Sequence, residues 1–178
     1  MSKGAPKSVG PQLAHVVCGS ADKLATAKLN MNCPLGIFLS YSLQTLRVDL
    51  EKKIKEVNEE VEHVVVVIPP ETPEEELEAV TATAKETCAA EKERLQELSL
   101  KLGEIHAMIA ATTAHGIELL DEGNGIIQCQ DNINSKATDV LKPYNKYTLG
   151  IVQENEGEPP AVLPLMVGAA AVPVKKGK

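Results

Sequence analysis

Two apolar series, each stepping by three or four residues, constrain what this chain can fold into more than any other feature. In the second half of the chain Leu95, Leu98, Leu102, Ile105, Ile109, Thr112, Gly116 and Leu119 alternate without interruption, and the series extrapolates back to Cys88, Ala84, Thr81 and Leu77. That is a heptad register, most typical in "EKERLQELSLKL". Upstream, Leu39, Leu43, Leu46, Leu50, Ile54, Val57, Val61, Val64 and Ile68 keep helical spacing with one stutter at Ile54. The spacing predicts two long helices, over residues 35–66 and 73–122.

The stretch between them, "EHVVVVIPPETPEEELEAV", admits two readings. Five β-branched residues in a row have strand propensity, but a lone strand needs a partner, and no other stretch of the chain offers an obvious one. The helical phase runs into Val64 and Ile68 unchanged, so the favoured reading is a helix that frays there and ends at Pro69 and Pro70. Thr72 then stands as an N-cap, Pro73 at the first helical position, and Glu75 closes a capping box, with Glu74 and Glu76 beside it on the positive end of the helix dipole. The stretch becomes a sharp turn between antiparallel neighbours. The second helix, about 75 Å long at 1.5 Å per residue, must overhang the first.

Glycines in "DEGNG" break the pattern at residues 121–125, and it resumes in Ile126, Ile133, Ala137 and Val140 as a short helix over 126–141. A similar short helix over 20–30 follows Ser20. The expected fold is therefore all-α: an extended segment 1–19, a coiled-coil-like antiparallel hairpin with short flanking helices over 20–142, and an extended Pro/Ala-rich tail over 143–178.

Composition bears on what such a hairpin can bury. The chain has no Trp, one Phe and three Tyr among 178 residues, so Ala, Val and Leu must supply the core. Those residues suit narrow helical seams better than a thick interior. The seam residues Leu95, Leu98, Leu102, Ile105, Ile109 and Leu119 are expected at an interface. Ala107, Ala110, Ala111, Ala114 and Gly116 make several faces small at once, either as a docking surface for another backbone or as a narrow region within the hairpin. Val162, Leu163, Leu165, Met166 and Val167 form the apolar part of a proline-punctuated tail, which reads as an extended segment for a groove on another protein. Lys175, Lys176 and Lys178 behind it suit an acidic rim around such a groove.

Residues 51–122 carry seven basic and eighteen acidic side chains, whereas the two ends are weakly basic. This excludes nucleic acid as a partner for the middle segment. No segment has the roughly 18–20 apolar residues of a membrane span, and no leader is apparent in MSKGAPKSVGPQ. Cys18, Cys33, Cys88 and Cys129 match no metal pattern and read as reduced thiols of a cytoplasmic protein, a Cys18–Cys33 disulfide being the rival reading.

Catalytic constellations are weak. His106 and His115, nine residues apart, fall on opposite sides of an ideal helix, while His63 and His15 stand alone. Asp121 with Asn124 lacks the regular oxygen ligands of a calcium loop, and Cys129 has no positioned base. No catalytic residue, metal or cofactor is assigned. The chain is expected to be a non-catalytic structural subunit of a larger assembly, docking through its hairpin and tail. A cytoskeletal or axonemal complex of the cytoplasm, cilium or flagellum, with a tubulin lattice or other helical subunits as partner, is compatible with these features. The alternative is a soluble coiled-coil adaptor or tethering subunit that self-associates.

Overall fold

The computed structural model describes residues 11–68, 77–153 and 160–174. It is a mixed α/β fold, not an all-α one: a seven-stranded mixed sheet carries the long helical hairpin.

The first departure from helical expectation lies at residues 13–30. β1 (Leu13–Gly19) and β2 (Leu24–Asn30) pair antiparallel, Leu13 opposite Asn30 through Gly19 opposite Leu24. Alternation buries Ala14, Val16, Cys18, Ala25 and Ala27 on one face and leaves Thr26 and Lys28 exposed. The run "LATAKLN" is rich in good helix formers, which is why it reads as a helix; pairing with the Val-rich β1 overrides that weak local preference. Gly19 makes the hairpin possible. Its φ of 110° is strained for other residues, and a Cβ there would lie 2.7 Å from the Lys23 carbonyl oxygen.

α1 (Leu35–His63) then lies across this hairpin. It buries Leu35, Phe38, Leu39, Ser42, Leu43, Leu46, Leu50 and Val57 at helical spacing. The small Ala and Cys side chains of β1 and β2 let it approach closely. Asp49 accepts a hydrogen bond from the Thr26 amide at 2.9 Å, so the helix also caps a main-chain donor on the outer edge of β2.

α1 ends at His63, and Val64 (ψ 111°) is already extended. Val64–Ile68 is neither helix nor strand. The prolines are not what stops the helix; it stops where the β-branched run begins, since such side chains lose χ1 freedom in a helix and, beyond the half-buried Val64, find no interior surface to offset that loss. The expected capping box at Thr72, Pro73 and Glu75 lies outside the described residues.

α2 (Leu77–Ala111) returns antiparallel. His106 Nε2 meets Glu51 Oε1 at 3.0 Å, and Ser99 Oγ donates to Asn58 Oδ1 at 2.7 Å. Leu95, Leu102, Ile105 and Ile109 are buried, with Leu98 half-buried. The helix stops eleven residues short of the expected 122. The β-branched pair Thr112–Thr113 and Gly116 end it: Thr112 Oγ1 bonds back to the Met108 carbonyl oxygen at 2.7 Å, and a tight turn, Ala114–Gly116, follows. Leu119 keeps the heptad count but belongs to β3 (Ile117–Leu120), where all four residues are buried.

The expected helix at 126–141 is β4 (Ile126–Ile127), a tight turn at Gln130–Asn132, and a single turn of helix, α3 (Ala137–Val140). Nor is the C-terminal region a free extended tail. β5 (Lys146–Gln153) is the centre of the sheet. β3 pairs along one edge of it; along the other lie β1, parallel, and then β6 (Ala161–Pro164), antiparallel, with β7 (Val172–Pro173) beyond. The apolar run expected to lie in a groove on another protein fills a place in the chain's own sheet.

Candidate functional site

The two helices are unequal, and the site follows from that inequality. At 1.5 Å per residue α2 is about 9 Å longer than α1. Val64 lies beside Cys88, whose Sγ is 3.8 Å from the Val64 carbonyl oxygen, so the first turns of α2 run on beyond the end of α1. Among the described residues, none between Glu78 and Arg94 is fully buried. Alongside this overhang runs the segment Val64–Ile68, which leaves α1 extended at Val64 and is neither helix, strand nor turn.

Between the segment and the helix is a groove of about 610 Å³. One wall is Val64, Val65 and Val67; the other presents mostly small side chains, chief among them Ala79, Thr83, Ala84 and Thr87. Val65 is 68% exposed and Val67 73%, with Val66 and Ile68 also exposed. Main-chain pairing is missing too. Val64 N–H donates to Glu60 O at 3.1 Å, but among the described residues no backbone hydrogen bond reaches the amides or carbonyls of Val65–Ile68. At the groove's margin Glu91 is held in a two-pronged pair by Arg94, at 2.7 and 2.9 Å, and this hydrogen bonding lowers its pKa. Among the described residues the arrangement offers apolar surface and backbone groups without main-chain partners; of the groups lining it that could act in chemistry, the Cys88 thiol faces the Val64 carbonyl oxygen and the Glu91 carboxylate is held by Arg94.

The other residues singled out from the sequence lie elsewhere. Leu95, Leu98, Leu102, Ile105 and Ile109 face the chain's own interior, and Leu119 sits in the sheet. Ala107, Ala110 and Ala111 are exposed at the end of α2; Ala114 and Gly116 are half-buried in the turn that follows, so these five share no continuous helix face. Val162 and Leu165 are buried, while Leu163, Met166 and Val167 are half-buried beside them. Met166 bridges to Gly19, and the Gly19 amide donates to Leu165 O at 2.8 Å.

Nor do the titratable residues converge. His106 pairs with Glu51, His63 Nδ1 lies 2.6 Å from the Glu59 carbonyl oxygen, and His115 sits in the turn after α2. Asp121 Oδ1 accepts the amides of Gly123 and Gly125, at 2.9 and 2.6 Å, which makes the "DEGNG" loop a self-satisfied turn. Cys129 is buried, and desolvation together with the nearby Glu118 carboxylate pushes its thiol up to about 12, far from a reactive thiolate. Glu118 in turn is buried and raised by desolvation, although it accepts the amides of Cys129 and Gln130. All four cysteines are free. Among the described residues no group of three or more His, Cys, Asp or Glu could hold a metal ion, and no helix is long and apolar enough to cross a membrane.

Sequence reasoning singled out half of the groove. The Val64–Ile68 run was conspicuous, but its helical phase hid its exposure. The small residues Thr83 and Thr87 lie off the heptad seam and carried no signal of their own. Comparison with known proteins yields no matching family model, no similar curated protein and no similar solved structure.

Proposed function

We propose that this chain is a non-catalytic docking subunit of a larger protein assembly, and that it engages its partner through the tip of the helical hairpin. The observation that carries the reading is the exposed aliphatic segment Val65–Ile68 beside the overhang of α2. Scattered exposed aliphatic residues are ordinary on a protein surface; a contiguous run beside an apolar groove marks an interaction site. The sheet and the base of the hairpin form the scaffold that holds this tip away from the core. The tail, folded into the sheet, belongs to that scaffold.

The variant Val65→Ser with Val67→Ser tests the reading. Both side chains are exposed, so stability should change by no more than about 0.5 kcal/mol per site, read as an unchanged thermal melt. The protein isolated from its native source should lose the partners that accompany the unaltered chain. Retention of those partners, or a large loss of stability, would show that the run serves the fold and not docking.

A further inference from the structure

Taking the tip as the docking site, we infer that Val65–Ile68 receives an extended, aliphatic and basic segment of a different protein, added as a strand along the backbone groups that carry no hydrogen bond among the described residues. This inference rests on the docking proposal and names the chemistry of the partner.

Three observations support strand addition. The segment Val64–Ile68 leaves α1 in extended geometry at Val64 and makes no turn or bend through Ile68, so little ordering is needed before it pairs. Its amides and carbonyls from Val65 to Ile68 carry no backbone hydrogen bond among the described residues, and an unpaired row of such groups is a template for another strand. Its five β-branched residues have the propensity of a strand that lacks only a neighbour. The neighbouring groove gives specificity of size. Its helical wall is lined by Ala79, Thr83, Ala84 and Thr87, which leave room for aliphatic side chains of the added segment at every second position.

Charge decides between a second copy and a foreign partner. Residues 51–111, which make up the second half of α1, α2 and the connection between them, carry fifteen acidic and seven basic side chains. That leaves ten acidic and eleven basic for the rest of the chain, so the whole net negative charge belongs to the hairpin arm. Two such arms meeting tip to tip would repel each other, whereas lysines or arginines on a partner strand would be attracted.

The test uses the full chain and three fluorescein-labelled probe peptides read by anisotropy: Lys-Val-Lys-Val-Lys-Val-Lys, its counterpart with Glu for every Lys, and the Lys form N-methylated on alternate valines. The Lys form should bind, and the Glu form at least tenfold more weakly. N-methylation, which removes main-chain donors without changing charge, should weaken binding at least tenfold as well. Equal binding of the methylated peptide would overturn strand addition, leaving only charge attraction. No binding of any probe would overturn the proposed chemistry. A homodimer seen by light scattering and abolished by Val66→Pro would overturn the choice of a foreign partner. Failure here is distinguishable from failure of docking itself: if the Val65→Ser, Val67→Ser chain loses its native partners while no probe binds, docking at the tip stands and the strand mechanism falls.

Discussion

Gly150 is the residue on which the sheet's second face depends. The pairing of β5 with β3 and β6 places Gly150 on the same face as Leu120 and Val162, both wholly buried. A Cβ at Gly150 would lie 2.4 Å from Val162 Cγ1 and 2.8 Å from Leu120 Cδ1, with the Leu163 carbonyl 3.3 Å away. The two large side chains close over the glycine and seal that face without an aromatic residue. Gly150→Ala should therefore cost about 1–3 kcal/mol through overpacking, measured by urea denaturation. Gly103, where nothing lies within 4 Å of an added Cβ, is the control, and Gly103→Ala should be neutral or stabilising in mid-helix. A neutral Gly150→Ala would mean that the strands flanking it sit farther apart than described.

At the scale of elements, the seam of α2 has a phase that mutation can read. Leu102 is fully buried, Leu98 half-buried, and Glu97 lies on the solvent face with Lys101 as its partner. Leu102→Asp buries an unpaired charge and should cost about 3–5 kcal/mol, with Leu98→Asp costing less. Glu97→Asp should stay within about 0.5 kcal/mol, because exposed ion pairs contribute little. Equal shifts in thermal melts at all three sites would show that the phase is wrong. The two long helices were legible because their 3.6-residue period repeats over many turns. The strands were not. β2 is written mostly in Leu, Ala and Lys, β4 and β7 are two residues each, and β3 continues the heptad count by coincidence of spacing. Short strands acquire their identity from neighbours distant in sequence, and a single sequence read locally does not display those neighbours.

For the whole molecule, the scarcity of aromatic residues suggested a rod unable to shelter its own apolar stripe. The sheet supplies the missing shelter for most of it: β1, β2 and β5, with the C-terminal strands, cover the faces that the helices alone would leave open. Among the described residues the longest unbroken run of exposed aliphatic side chains is at the far end of the arm, where α1 has stopped and α2 has not; Ile37, Tyr41, Val48, Leu100 and Tyr144 are exposed elsewhere without forming such a run. The docking proposal therefore rests on that tip. Half of that site was legible as an aliphatic run with no strand to pair with, and the other half was hidden because it depends on where a helix ends. The most direct measurement is hydrogen–deuterium exchange on the isolated chain. The amides of Val65–Ile68 should exchange as fast as in an unstructured peptide, while those of β1 and β5 are protected to near the global stability, and the tip amides should become protected once the Lys-Val probe or the native partner is bound. Strong protection of Val65–Ile68 in the free chain would mean that the segment already has its partner, and would contradict the account.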